Sequence, residues 1–148
     1  MPHDHPHDAL AERFLSRVPH VRELGIEMVS VSSARIHIRL PYRDDWLGDT
    51  TYGLIHPGVT STLIDSGCGL AVLARLEKPE PIATLDLRMD YLRPGVRGKA
   101  LECQAECYRV TTHIVFARAT VWQDSIEKPI ALSQSAFMRS STSKKRVI

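Results

Sequence analysis

The sequence predicts one α+β domain in which helices lie against an antiparallel sheet. Three observations support this class. Four strand-like segments follow one another in the second half, a nearly uncharged helical stretch precedes them, and a short amphipathic helix with two more strands opens the chain. Strands in runs, with helices kept to one face, are typical of α+β proteins with antiparallel sheets.

Length and composition limit the possible classes of protein. A chain of 148 residues suits a single domain with a real core, and its 43% hydrophobic content argues against wholesale disorder. Nineteen basic and seventeen acidic residues nearly balance, which gives no argument for a nucleic-acid partner. No apolar run approaches the roughly 18 residues of a membrane helix, and no signal peptide is recognisable. We therefore expect a cytoplasmic protein without a membrane partner.

The cysteines and histidines predict neither a disulfide nor a bound metal. Cys103 and Cys107 share a strand and lie about 13 Å apart, whereas the Cα atoms of a disulfide are roughly 4.4–6.8 Å apart. The three cysteines are therefore expected to be free thiols in a reducing compartment. Residues 1–7 hold His3, His5 and His7, which indicate either a metal-binding tail or a disordered polar terminus. We expect the disordered tail, no metal and no cofactor.

The domain is predicted over residues 8–139, followed by a polar basic tail at 140–148. Asp8 to Val18 has the apolar spacing of a short helix that Pro19 ends. Strands are predicted at residues 25–31, 34–40, 84–91, 99–110, 113–123 and 129–138. In the third of these strands, alternation puts one set of side chains inward: Leu85, Leu87, Met89 and Tyr91.

The central stretch from Val59 to Ala74 is a helix whose only charged residue is Asp65. Pro57 suits its first turn, where a missing N–H is tolerated. A helix that is nearly apolar all round is normally buried, and a buried carboxylate must be paired, hydrogen-bonded or used in chemistry. Helical spacing predicts an apolar stripe formed by Val59, Leu63, Leu70 and Ala74. It also predicts an opposite side of small, mostly uncharged residues, formed by Ser61, Asp65, Cys68 and Val72.

Taken together, these elements resemble a hot-dog-fold acyl-CoA thioesterase of the group with phenylacetate-pathway and 4-hydroxybenzoyl-CoA thioesterases. The resemblance covers residues 24–139 and depends on two marks. A His-Pro-Gly at His56–Gly58 opens the helix with Asp65 nine positions after the histidine, where the family has His-Gly-Gly and an acid. The strand from Thr84 to Pro94 is similar to the family's strand after the helix.

The resemblance implies an antiparallel sheet wrapped around one long central helix, and a homo-oligomer, dimer or tetramer, whose active sites are shared between subunits. It implies an acyl-CoA substrate and hydrolysis of its thioester. Asp65 would be the general base or nucleophile, opposite an oxyanion hole at the helix start of the other chain. The other implied roles belong to His56, Gly58, Thr84 and Thr50 at the thioester, and to Arg88 and Arg93 at the CoA phosphates.

Two positions depart from the family pattern. Pro57 stands where the family has the glycine whose N–H is the main oxyanion donor, and proline has no N–H. The N–H of Gly58 or Val59 could replace it. Thr50 stands where many relatives have an asparagine that contacts the thioester.

Two alternatives follow from the same residues. The first is an acyl-CoA-binding or regulatory protein with weak catalysis, suggested by Pro57. The second is an acyl-thioester dehydratase, suggested by Pro57-Gly58-Val59. A dehydratase would have its acid six residues after the proline, where Leu63 stands, and Asp65 comes at eight.

Overall fold

The computed structural model describes residues 6–140, in which an antiparallel sheet wraps around one long helix. The elements in chain order are α1 (Pro6–Arg17), α2 (Pro19–Leu24), β1 (Glu27–Val31), β2 (Ile36–Leu40), a 3-10 turn (Asp44–Trp46), β3 (Leu47–Asp49), β4 (Leu54–Ile55), α3 (Pro57–Arg75), β5 (Ile82–Tyr91), β6 (Leu101–Val110), β7 (Ile114–Trp122) and β8 (Ala131–Arg139). This architecture confirms the predicted hot-dog fold.

The main sheet has six strands in the order β1-β2-β6-β7-β8-β5, and every neighbouring pair is antiparallel. α3 packs across this sheet, mainly against β6 and β7, and α1 packs on both α3 and β1. β1 and β5 are the two edges. β5 is ten residues long and bonds only to β8 within the described chain.

Packing holds α3 together, because its own residues are poor helix formers. Gly67 and Gly69 each cost about 1 kcal/mol relative to alanine in a helix interior. The helix is nonetheless continuous for nineteen residues and carries Leu63, Ile64 and Leu70 at 0% exposure into the core. Burial of a leucine-sized side chain contributes about 1.5–3 kcal/mol, so a few such contacts offset the weak propensity.

The sheet encloses more of α3 than the sequence pattern predicted. Cys68 and Val72, expected beside Asp65 on the small-residue side, are fully buried against the sheet. The reason is the curvature of the sheet, which covers more than one stripe of the helix. Ser61 and Asp65 themselves stay half-exposed, so the open side of α3 is narrower than expected.

A β-bulge at Leu85 changes the facing of the first residues of β5. Thr84 pairs with Phe137 and Asp86 pairs with Ala136, so two neighbours on β8 face three residues on β5. Because of this extra residue, the residues of β5 before Leu85 face the side opposite to the one that regular alternation predicts. Leu85 itself, which alternation placed on the inner side, is 49% exposed. Thr84 thereby shares the helix-facing side of the sheet with Leu87, Met89 and Tyr91.

Several short elements differ from the prediction. α1 begins at Pro6, two residues before the expected cap, and Val18-Pro19 starts α2, which the sequence pattern did not predict. The long connection before α3 contains the hairpin β3–β4.

All three cysteines are free thiols, as predicted. The predictions for residues 1–5 and 141–148 lie outside the described residues.

Candidate active site

The start of α3 is capped by His56. Its Nδ1 accepts a hydrogen bond from the backbone N–H of Gly58 at 2.9 Å. The backbone of His56 is fixed by its own N–H, which donates to the carbonyl of Trp46 at 2.8 Å. Glycine at position 58 permits this arrangement, because an added Cβ would lie 2.8 Å from Nδ1.

This cap leaves the first turn of α3 with no free backbone donor at its first three positions. Pro57 has no N–H, Gly58 donates to the imidazole of His56, and Val59 donates to the carbonyl of His56 at 3.0 Å. The sequence suggested that Gly58 or Val59 could replace the donor missing at Pro57. In this chain both N–H groups already have acceptors.

Asp65 and Thr84 are brought together across the gap between α3 and β5. The Thr84 hydroxyl donates to Asp65 Oδ1 at 2.9 Å. The bulge at Leu85 makes this contact possible, since regular alternation would turn Thr84 to the other side of the sheet. Asp65 is half-buried, not fully buried as its uncharged helix suggested. Its second oxygen, Oδ2, accepts no hydrogen bond from a side chain of residues 6–140.

Within one chain the carboxylate and the helix start are far apart. Asp65 comes eight positions after Pro57, which is about 12 Å along the helix axis. A thioester at the helix start therefore lies beyond hydrogen-bond reach of the same chain's carboxylate.

A groove of about 570 Å³ opens beside the start of α3. Its lining includes His56, Pro57, Thr60, Tyr91 and Arg93. Tyr91 comes from the end of β5, and its hydroxyl donates to the carbonyl of Pro57 at 3.2 Å. Burial raises the pKa of Tyr91, and hydrogen bonding to Ser61 offsets part of that rise. The phenol therefore stays protonated at neutral pH.

The remaining candidates are not all in this region. Arg93 lines the groove. Arg88 lies on the outer face of the sheet, where it pairs with Asp90 at 3.5 Å, away from the side that carries Asp65. Thr50 is exposed in the β3–β4 turn, and its carbonyl accepts a hydrogen bond from Arg97.

The sequence reasoning missed Tyr91 as a member of the site and treated it as an ordinary inward strand residue. The available signal was a tyrosine, with its polar tip, at the end of a strand that precedes Arg93-Pro94. The thiol nearest to the carboxylate, Cys68, is unsuited to attack, because burial raises its pKa to about 11.

Comparison with known proteins decides the family. The model of the thioesterase superfamily matches residues 52–130, more than half of the chain and including both His56 and Asp65. The chain belongs to the thioesterase superfamily. As a member of that superfamily it is a thioester hydrolase with the hot-dog fold.

Individual relatives agree with this assignment. The chain is 27% identical over 142 residues to the medium/long-chain acyl-CoA thioesterase YigI of Salmonella typhimurium, covering 87% of this chain and 90% of YigI. A Halobacterium salinarum protein is 35% identical over 101 residues, 66% of either chain. A solved Pseudomonas aeruginosa structure superposes with a TM-score of 0.82 at 38% identity, covering 91% of this chain and 100% of that one.

The PaaI protein of the Escherichia coli phenylacetic acid degradation operon superposes with a TM-score of 0.79. The superposition covers 91% of this chain and 94% of PaaI. At 17% identity this likeness shows the fold alone.

Among residues 6–140, no helix is long and apolar enough to cross a membrane, and no group of three His, Cys, Asp or Glu side chains is placed to hold a metal ion.

Proposed function

We propose that this protein hydrolyses acyl-CoA thioesters, with Asp65 as the general base. The observation that carries the proposal is the Thr84–Asp65 hydrogen bond, which holds one oxygen of a half-buried carboxylate and leaves the other without a side-chain donor among residues 6–140. A carboxylate held in this way can take a proton from water. The residues around it, Ser61 and Ser66 among them, are small and leave room for a substrate.

The proposed site is divided between two chains. β5 is a long edge strand whose outer side has no partner in the described chain, and Leu85 and Tyr91 on it and Leu92 just after it are about half exposed. Such an edge is a template for pairing with a second strand. Antiparallel pairing of β5 with its twofold copy sets the Thr84 end of one strand beside the Tyr91 end of the other. This arrangement would bring one chain's Asp65 to the other chain's helix start.

The chemistry follows from those positions. Asp65 Oδ2 takes a proton from water, and the water oxygen forms a bond to the thioester carbon. Negative charge develops on the carbonyl oxygen near the start of α3, where the positive end of the helix dipole stabilises it. The tetrahedral intermediate then breaks its carbon–sulfur bond. The proton on Asp65 passes to the departing sulfur, giving a carboxylic acid and free CoA.

The acyl group is proposed to be apolar and of medium or greater length. An apolar groove of about 730 Å³ lies at the far end of α3, lined by Leu10 and Phe14 of α1 and by Leu76. Asp65, Gly69 and Leu73 follow one another at four-residue intervals along α3, and Leu73 also lines this groove, so the groove begins near the side of α3 that carries the carboxylate. The relative YigI is named for medium- and long-chain acyl-CoA.

Steady-state release of CoA from short, medium, long and aryl acyl-CoAs tests this proposal. We expect turnover to be highest for medium or long chains. Asp65→Asn should lower kcat by about 10²–10⁴-fold, the usual contribution of a general base. Asp124→Asn is the matched control, because that carboxylate forms an exposed pair with Lys99 and neither residue lines the grooves at the two ends of α3. Turnover by Asp65→Asn at the wild-type rate would contradict the role of Asp65.

One observation favours a second candidate, an acyl-CoA-binding protein with little turnover. The N–H groups of Gly58 and Val59 are both engaged, which leaves the helix start without a free donor at its first positions. The same assay separates the candidates when it is combined with calorimetry. Tight binding of acyl-CoA without release of CoA from any member of the panel would favour the binding protein.

A further inference from the structure

The start of α3 lacks a donor that a thioester hydrolase needs. A developing oxyanion requires hydrogen-bond donors fixed at its position, and removal of one donor typically costs about 10²–10³ in kcat. Pro57 has no N–H, and the next two N–H groups bond to His56. Some other group near Pro57 must therefore supply at least one hydrogen bond to the carbonyl oxygen.

Tyr91 places a hydroxyl at this point. It reaches from the last residue of β5 onto the first turn of α3, lines the groove with His56 and Pro57, and is 49% exposed in the single chain. Its phenol is a donor at neutral pH, because tyrosine ordinarily has a pKa of about 10 and partial burial raises the pKa of Tyr91 further. Its hydroxyl also lies 3.7 Å from the sulfur of Met89, which is a weak acceptor.

The present hydrogen bond of Tyr91 is easy to give up. Its length of 3.2 Å to the Pro57 carbonyl is beyond the usual 2.5–3.0 Å range of O–H···O bonds. That carbonyl also lies in the helix, where the N–H of Ser61 is its regular partner. A hydroxyl hydrogen rotates freely about its C–O bond. The proton can therefore turn from Pro57 into the groove without leaving a buried acceptor unsatisfied.

We propose that the Tyr91 hydroxyl is an oxyanion donor of this enzyme and replaces the backbone N–H that is absent at Pro57. The inference rests on the proposed thioester hydrolysis at this site. Tyr91 donates to the carbonyl oxygen as the tetrahedral intermediate forms, and its hydrogen bond returns to Pro57 when the intermediate collapses. No proton is transferred from Tyr91 in either step.

The test is a double-mutant cycle between Tyr91→Phe and Pro57→Gly, measured as kcat and KM for acyl-CoA hydrolysis. Tyr91→Phe removes only the hydroxyl and is expected to lower kcat by about 10²-fold with little change in KM. Pro57→Gly restores a backbone N–H at the helix start. In that background we expect Tyr91→Phe to cost at most a few-fold. Tyr108→Phe, a tyrosine 45% exposed on β6, is the matched control and should keep wild-type kcat.

The outcomes separate this inference from the proposed function. Wild-type kcat in Tyr91→Phe, with Asp65→Asn inactive, overturns the role of Tyr91 and leaves the hydrolase intact. An equal loss of kcat with and without Pro57→Gly shows that Tyr91 only anchors β5 to the helix and also overturns it. A wild-type protein that releases no CoA overturns both proposals. Thermal unfolding of each variant verifies that the compared proteins are folded.

Discussion

Asp65 and Thr84 depend on each other for the geometry of the site. A carboxylate on a helix can occupy several rotamers, and the hydrogen bond from Thr84 Oγ1 to Oδ1 at 2.9 Å selects one of them. A hydrogen bond to a charged group contributes about 1.5–3 kcal/mol when it is made. Thr84 is therefore a positioning residue in our proposal, and Asp65 is the residue that meets water.

Two variants of Thr84 distinguish the effect of its hydroxyl on kcat from the effect of its side-chain shape. Thr84→Val keeps the volume and removes the donor, so we expect kcat to fall about ten- to hundredfold, in line with the energy of a hydrogen bond to a charged group. Thr84→Ser keeps the donor and should remain within a few-fold of wild type. Equal kcat values for the valine and serine variants would show that Asp65 does not need this bond.

The residue pattern predicted part of this site. The nine-residue interval from His56 to Asp65 is visible in the sequence, and so is the uncharged helix around the carboxylate. The Thr84 contact could not be derived from alternation, because one extra residue at Leu85 reverses the facing. The capping of Gly58 by His56 was equally hidden, since it depends on one side-chain rotamer and not on spacing.

The central helix shows how a single element meets two requirements along its length. Its first turn and its Asp65 face line the proposed site, and its other sides are packed into the curved sheet. Gly67 and Gly69 illustrate the difference in packing. A Cβ at Gly67 would lie 3.0 Å from Cys103 Sγ and 3.4 Å from Ile38 Cδ1, whereas a Cβ at Gly69 would meet only Phe137, at 3.7 Å.

Gly69→Ala and Gly67→Ala are therefore expected to change stability in opposite directions. Each gains about 1 kcal/mol of helix propensity, and Gly69→Ala keeps that gain because its methyl group has room. Gly67→Ala should be less stable than wild type, since overpacking of a core costs about 1–3 kcal/mol. Urea unfolding measures both changes.

The clash can be tested directly with Cys103→Ala, which removes the sulfur that Gly67→Ala would approach. The double variant should be more stable than the sum of the two single changes. If the two changes in the free energy of unfolding are strictly additive, the Cys103 sulfur is not what makes a methyl group at position 67 unfavourable.

Most elements were predictable, and the exceptions are short. The strands β5 to β8 are nine or ten residues long, alternate over most of that length, and lie within two residues of the predicted bounds. The hairpin β3–β4 and the six-residue helix α2 have too few residues to show a period. They are fixed by contacts with distant parts of the chain, such as the bond from the Ile55 N–H to the Gly95 carbonyl.

At the scale of the whole molecule, the proposed site requires two chains. Asp65 lies about 12 Å from its own helix start, and the strand that carries Thr84 is an edge of the sheet that residues 6–140 form. Subunit complementation tests this division. Asp65→Asn and Tyr91→Phe, each expected to lower kcat by about 10²-fold or more, are coexpressed with different affinity tags, and the heterodimer is isolated with both tags.

One of the two sites in this heterodimer would combine an intact Asp65 with an intact helix start, so about half of the wild-type rate should return. The other site would carry both substitutions. The matched control is coexpression of two differently tagged Asp65→Asn chains, which should stay inactive. A heterodimer as inactive as this control would place the whole site in one chain and contradict the shared arrangement.

The free edge at β5 also has an evolutionary consequence. Proteins usually protect an exposed edge strand with lysine, proline or a covering loop, because it invites aggregation. β5 has exposed Leu85 and Tyr91 and no proline or lysine along its ten residues. With the site divided as proposed, any substitution that shields this edge would also separate the two halves of the catalytic apparatus. Selection for activity then preserves an aggregation-prone strand edge that selection for solubility alone would remove.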